Sequence, residues 1–411
     1  MKKIITILLA LTLLCSLFVF FTACNDTDDD KVVFDNITIK ADGELKILQL
    51  TDIHLTASEY ETVADLRAAG INLGPVSNIT AWQRDRWALR TVGELIEEAQ
   101  PDLIIVTGDL VYVNPFTQFL TPIGHTDNLK AIKLFAEYIE TFCIPWAVTL
   151  GNHDHEGDYT REQIADYLCT LEYCIFQKGP DDITGFGNYI INVLNSDGTY
   201  NTALIMMDSN SYINADDHTG SSGYDRIHEN QIQWYEESLN NIKSKYSLNV
   251  LPASLLFIHI PVTEYNTAKL IYFEEIRSGI DNPDFTFHEG VFGENNAATC
   301  TPFVGTYNGN YYDGGKIFDK IVELGSTKGI FVGHDHANNL IMEYMGVQLV
   351  YSKSIDYIAY PAPDICKNDN FRGGTEIILK DKQAFVYNSD TQTIKLINYT
   401  GGLYAAYKAG N

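Results

Sequence analysis

Basic residues are scarce in this chain. Its 28 lysines and arginines stand against 54 aspartates and glutamates, a formal net charge of −26. That deficit opposes non-specific nucleic-acid binding, because an acidic surface repels phosphate backbones. It opposes anionic substrates as well, unless bound cations reverse the field locally. Cysteine is sparse too. Cys15 and Cys24 lie near the N-terminus, and Cys143, Cys169, Cys174, Cys300 and Cys366 show no close CxxC zinc spacing. An exported location would permit disulfides, but the last five are an odd number, so internal pairing leaves at least one thiol free. Cys143, in an apolar run, is expected to be a buried small hydrophobe. A solenoid-type internal repeat is also lacking.

What is present is a chain of 411 residues, 45% apolar with 12 prolines, enough for one large or two medium packed domains. The first 23 residues read as a removable leader. Lys2 and Lys3 give a positive start, residues 4–21 are apolar, and Thr22 and Ala23 are small. The Ala23-Cys24 junction resembles a bacterial lipobox, with Phe21 where Leu or Val is usual. That resemblance implies lipidation at Cys24, export, and anchoring to the bacterial cell envelope. Ordinary signal cleavage or an uncleaved membrane anchor is the competing reading. Residues 24–34, with the acidic run Asp26 to Asp30, read as a solvated tether. Residues 35–411 read as a single domain with a β-rich C-terminal part.

From residue 45 the pattern alternates strand and helix. Apolar runs at 45–50, 103–106, 146–150, 254–258 and 329–332 read as buried strands. Thr80 with Gln83 and Thr160 with Gln163 look like capping boxes that open helices. Asn195-Ser196-Asp197-Gly198 reads as the turn of a hairpin between two strands. After residue 338 short strands follow at 339–344, 347–351, 375–379, 383–387 and 393–397. The pattern fits an α/β fold of two mixed sheets packed face to face with helices outside. Residues 281–313 lack periodicity and read as a long loop between two site-bearing strands, placed to line a substrate pocket or to be a plain surface insertion.

The chemistry sits just after the strands. Asp52 and His54 follow the first run, Gly108-Asp109 the second, and Gly151-Asn152-His153-Asp154 the third. His259 ends the fourth, and Gly333-His334-Asp335-His336 follows the last. Strand ends are where α/β proteins build active sites. Carboxylates, an amide and imidazoles together suffice for two metal ions, and such mixed N/O ligands suit Zn, Fe or Mn. Five of the ten histidines occupy motif positions; His125, His155, His218, His228 and His288 fit none.

In order, Asp-x-His, Gly-Asp, Gly-Asn-His-Asp, His and Gly-His-x-His resemble the calcineurin-like metallophosphoesterase superfamily over about residues 45–355. The stretches LGNHDHEG (150–157), TREQ (160–163), FIHIP (257–261) and GHDHAN (333–338), with Gly223-Tyr224-Asp225, look like its Dcr2-type, purple-acid-phosphatase-29-like branch. The resemblance implies a four-layer α/β sandwich and a binuclear centre of divalent or trivalent ions, Fe, Mn or Zn. It implies that Asp109 bridges, with Asp52, His54 and His336 at one ion and Asn152, His259 and His334 at the other. It makes His153 the electrophile or general acid and Asp154 its orienting partner. Tyr112, in a Gly-Asp-x-x-Tyr pattern shared with purple acid phosphatases, is expected to stay off the metal because His54 fills that role.

The implied activity is hydrolysis of small phosphomonoesters by in-line attack of a hydroxide bridging two ions. A phosphodiesterase or nucleotidase on the same centre is the alternative within the class. A non-catalytic surface-binding lipoprotein is the alternative outside it. No nucleic-acid partner is expected, and the membrane is reached only through the N-terminal anchor.

Overall fold

A computed structural model describes residues 36–59, 61–68, 80–112, 127–212, 224–292, 306–307, 310–311, 317–359, 372–388 and 390–399. The leader, Cys24 and the tether lie outside the described residues, as do Cys300, Cys366, His125, His218 and Gly223.

Two mixed sheets form the centre. One has five strands in the spatial order Ile394–Asn398, Gly373–Lys380, Glu44–Leu50, Leu103–Thr107 and Trp146–Thr149. Its last three strands run parallel and the other pairings are antiparallel. The other has eight strands. Ile37–Thr38, Tyr189–Leu194, Tyr200–Met206 and Ala253–Phe257 lead to Thr327–Val332, Val347–Tyr351, Asn338–Tyr344 and Phe285–Phe292. At its centre Tyr200–Met206, Ala253–Phe257, Thr327–Val332 and Val347–Tyr351 are all parallel.

The two-residue period of a strand explains the layering. Leu204, Met206, Leu255, Phe257 and Phe331 join the core shared with the five-stranded sheet. Their neighbours Ala203, Ile205, Leu256, Ile258, Ile330 and Val332 join a second core under the outer helices. A sheet buried on both faces needs apolar residues at every position, which is why these runs show no alternation with polar residues. Helices Glu229–Lys245, Glu264–Glu274 and Ile317–Leu324 supply Tyr235, Leu239, Tyr265, Phe318 and Ile321 to that second core. Helices Ala81–Ala99 and Asn128–Glu140 cover the five-stranded sheet. Four layers result, as expected for the metallophosphoesterase sandwich. Among the described residues no helix is long and apolar enough to cross a membrane.

Local signals account for the helix starts. Thr80 accepts from the Gln83 N–H while the Gln83 side chain accepts from the Thr80 N–H, and Thr160 and Gln163 do the same. Asp127 caps Asn128–Glu140 through the Lys130 N–H. The expected hairpin forms between Tyr189–Leu194 and Tyr200–Met206, with Gly198 at φ 81° in its turn.

Three expectations are corrected. Residues 285–292, within the segment read as a loop, form an edge strand against Asn338–Tyr344. The pairing skips His288, so a bulge separates Phe287 from Phe292 and hides the alternation from a periodicity reading. Residues 383–387 form no strand. Gly373–Lys380 is already paired on both edges, by Glu44–Leu50 and Ile394–Asn398, so that segment has no place beside it. Cys143 is exposed, because it sits at φ 54° in the turn after Asn128–Glu140. Cys169 is half-buried, with its Sγ donating to the Phe176 carbonyl at 3.7 Å, and Cys174 is buried.

Phe257 and Phe331 stack between the sheets, with ring centroids 4.9 Å apart and planes within 17°. Both are fully buried. Phe331→Ala is expected to destabilise the fold by about 3–5 kcal/mol, read as a shift in the urea midpoint.

Candidate metal centre

The strand ends of both sheets meet at one place, and main-chain contacts fix how closely. The Asp52 N–H donates to the Gly108 carbonyl, the His54 N–H to Asp109, and the Gly333 N–H to His259. Gly151 packs so tightly that a Cβ there would lie 2.2 Å from Asp109 Oδ1. A Cβ on Gly333 would lie 1.9 Å from Thr51 Oγ1 and 2.6 Å from Asp52 Oδ2. These two glycines are therefore required by close approach rather than by flexibility. Asp52 (φ 53°), His54 (53°), Asp109 (52°) and His334 (80°) all occupy the left-handed region. Side chains other than glycine adopt it at a cost of roughly 1–2 kcal/mol each, and such strain concentrates at functional sites.

Two groups of side chains form. Asp52, His54 and His336 converge with their ligand atoms within 4.8 Å of one another, and Asp109, His259 and His334 do the same. His54 Nε2 and His336 Nε2 are 3.1 Å apart, and His336 Nε2 is 3.3 Å from Asp52 Oδ1. Asn152 Oδ1 lies 3.1 Å from His259 Nε2 and 2.9 Å from His334 Nδ1, which places the amide in the second group. Asp109 joins the groups. Its Oδ1 accepts from the His153 N–H at 2.8 Å, while Oδ2 lies 3.1 Å from His259 Nε2 and 3.6 Å from His54 Nε2. Ring nitrogens and carboxylate oxygens, all buried and without a thiolate, suit two divalent ions of the Zn, Fe or Mn kind.

Partners outside the motifs orient the imidazoles. His336 Nδ1 pairs with Asp356 Oδ2 at 3.1 Å, and His259 Nδ1 with the Thr107 carbonyl at 2.7 Å. These contacts fix which nitrogen faces the centre. Burial opposes charge on both rings, yet Asp52 and Asp356 raise His336 to about 10, and Asp109 raises His259 to about 9. His334 behaves oppositely: burial and the neighbouring His259 push it down to about 3. Asp109 is buried as well, but His259, His153 and His54 hold it well below the usual carboxylate range. Asp85, in helix Ala81–Ala99, accepts from the Thr56 N–H and hydroxyl at 2.9 Å each and steadies the loop after His54.

Asp154 does not orient His153. Its Oδ2 accepts from Gly151 and Asp109 N–H at 2.7 and 3.2 Å, and its Oδ1 from Leu110 and Val111 N–H at 2.7 and 3.2 Å. Both oxygens are spent on tying the Gly-Asp and Gly-Asn-His-Asp loops together. His153 Nδ1 instead meets Glu156 Oε2 at 2.6 Å. Tyr112 packs edge-on to His54 at 5.4 Å between ring centroids. His155 stands beside Tyr212, His228 pairs with Asp225, and His288 lies against Tyr387.

The sequence reasoning missed Asp356, Glu156, Tyr212 and Tyr224 as parts of the site. Asp356 follows a strand without any motif around it. Glu156 was in view within LGNHDHEG, three residues beyond His153, a spacing that a turn brings together.

Residues 45–338 match the calcineurin-like phosphoesterase family. The chain is 28% identical over 343 residues to a protein of Arabidopsis thaliana named probable inactive purple acid phosphatase 14, covering 79% of this chain and 73% of that one. It is 28% identical over 367 residues to phosphatase DCR2 of Saccharomyces cerevisiae, covering 87% of this chain and 54% of the other. Among solved structures, a dimetal phosphatase from Danio rerio aligns over 87% of this chain and 99% of that chain, with 10% identity and a TM-score of 0.45.

Filling the centre must displace protons from His336 and His259, so metal binding at pH 7 is expected to release more than one proton and to tighten as pH rises. Calorimetry in buffers of different ionisation enthalpy measures this. Asp356→Asn is expected to weaken metal affinity about 10–100-fold, read by competition with a chelator.

Proposed function

The chain belongs to the calcineurin-like phosphoesterase family, and on that premise we propose that it hydrolyses small phosphomonoesters. The observation that carries this reading is the position of Asp109 Oδ2, shared between the two ligand groups at 3.1 and 3.6 Å from their imidazoles. Two cations bound there would supply Lewis-acid charge at a phosphoryl oxygen and bring the pKa of a water ligand down to about 7. They would also offset the acidity of the chain where an anionic ester must approach.

The chain's own residues do the rest. Asp52, His54 and His336 would hold one ion, Asn152, His259 and His334 the other, with Asp109 between. Asp154 keeps the two central loops in register through its four backbone bonds. His153 is partly exposed beside the centre, with its ring 5.3 Å from that of His54. Burial works against its protonation, but Asp109 and Glu156 raise its pKa above the usual imidazole value. It is therefore suited to give a proton to the leaving oxygen.

A non-catalytic reading has one observation in its favour, namely that several plant relatives carry the name "probable inactive". The seven proposed ligands gathered in this chain favour catalysis. The preference for monoesters over diesters belongs to the proposal, as does export with a lipid on Cys24, which is supported by the N-terminal residue pattern alone.

Metal-loaded protein is expected to hydrolyse p-nitrophenyl phosphate faster than its bis ester; the reverse order would make it a diesterase. His153→Ala should lower turnover by about 10²–10⁴-fold with circular dichroism unchanged, and unaltered turnover would remove His153 from the mechanism. Bound metal without turnover of any phosphoester would favour the non-catalytic reading. Labelled palmitate is expected to enter the wild-type protein and to be absent from Cys24→Ala.

A further inference from the structure

His153 is the one imidazole of the Gly-Asn-His-Asp motif, and its ring is held by a contact that the motif does not contain. The chain turns back after His153, with the Glu156 N–H donating to the His153 carbonyl at 3.0 Å. That turn brings Glu156 Oε2 to 2.6 Å from His153 Nδ1. The two side chains are about equally sheltered, 20% and 18% exposed, so the pair is shielded from water more than a surface ion pair would be.

The other oxygen of Glu156 is occupied as well. The Tyr212 hydroxyl donates to Oε1 at 2.7 Å. The same hydroxyl accepts from Asn152 Nδ2 at 3.2 Å. Asn152 thus has its nitrogen directed to Tyr212 and its Oδ1 directed to His259 and His334. Tyr212 is itself braced by Tyr224, which stacks on it at 5.4 Å and stands edge-on to His334 at 4.4 Å. A continuous path therefore runs from Asn152 through Tyr212 and Glu156 to His153. Asp154, the adjacent carboxylate, is unavailable because four backbone N–H groups use both of its oxygens.

We propose that Glu156 is the positioning residue of His153: it takes the Nδ1 hydrogen bond, fixes the ring, and leaves Nε2 to face the leaving oxygen of the substrate, while Tyr212 locks Glu156 to Asn152. This rests on the phosphoester-hydrolase reading. In the step concerned, water supplies an oxygen to phosphorus and the bond from phosphorus to the leaving oxygen breaks with its electron pair on that oxygen. The proton on His153 Nε2 goes to the leaving oxygen, and a proton of the water restores His153. The Nδ1 proton stays with the ring and Glu156 throughout. Glu156 touches neither substrate nor metal and acts through His153, as the orienting carboxylate of a catalytic triad acts through its imidazole.

The experiment compares wild type, Glu156→Gln, His153→Ala and the double variant, all with metal content measured. Glu156→Gln is expected to lower kcat at least about tenfold with KM and metal content little changed. The loss should be larger for phenyl phosphate, a poor leaving group, than for p-nitrophenyl phosphate. The double variant should be no slower than His153→Ala, because residues acting as a unit are not additive. Nitrogen-15 spectra of the metal-free protein should show the His153 Nδ1 proton in wild type and a changed ring signal in Glu156→Gln. Multiplying losses in the double variant, a wild-type kcat for Glu156→Gln, or a ring signal unaffected by the substitution would overturn the proposal. If the wild type turns over no phosphoester, the functional reading fails, and the nitrogen-15 spectra alone then decide the Glu156–His153 pairing.

Discussion

One carboxylate has to serve two groups of ligands, and much of the architecture follows from that demand. Asp109 Oδ2 reaches His259 on one side and His54 on the other only because strand ends from two different sheets stop within a few ångströms of each other. The sheets must therefore pack closely at this end. Gln49 helps by donating from the five-stranded sheet to Thr107 Oγ1 and to the Val332 carbonyl of the other sheet. Gly151 and Gly333 stand where a side chain would separate the loops. Asp109 Oδ1 meanwhile holds the His153 backbone, so one residue sets the spacing of the ligands and the placement of the neighbouring imidazole.

Buried charge is tolerated here because the carboxylates of Asp52, Asp109, Asp154 and Asp208 all accept hydrogen bonds. Asp52 accepts from Thr51 Oγ1 and from the His334 N–H. Arg161, reaching in from helix Arg161–Leu168, donates to the Gly151 carbonyl and pairs with Asp208, which also accepts from the Phe186 N–H. Isolated ions in such a place would cost several kcal/mol apiece. The burial that makes the arrangement costly is also what makes its fields strong. An acidic chain can present an attractive spot to an anion only if cations sit within such a lattice of fixed dipoles.

The sequence made the motif-bearing strands and their order legible, since buried parallel strands announce themselves as unbroken apolar runs. Helix starts at Thr80 and Thr160 were legible through their capping residues. The failures share a cause. The strand Phe285–Phe292 was masked by a bulge at His288, the absence of a strand at 383–387 was decided by Gly373–Lys380 being already paired on both sides, and Cys143 was turned outward by a left-handed turn. Each depends on a partner or a dihedral angle that local composition does not encode. The ligand-type residues were visible because their spacing after the strands is local. Asp356 and Tyr212 were not, because what places them beside His336 and Asn152 is the fold. Asp154 was adjacent to His153 in sequence and still served a different purpose, whereas Glu156, a turn away, met the ring.

The left-handed backbone at Asp52, His54, Asp109 and His334 has an evolutionary consequence. Those dihedral angles suit glycine better than any residue able to bind a cation. Exchanging such a ligand for glycine would relax the main chain while discarding the chemistry, so local conformational ease and catalysis pull in opposite directions at these positions. Selection for turnover must be continuous to keep them. A lineage released from that selection could drift to an inert scaffold along a path that is downhill for the backbone, with the outline of the molecule unaltered.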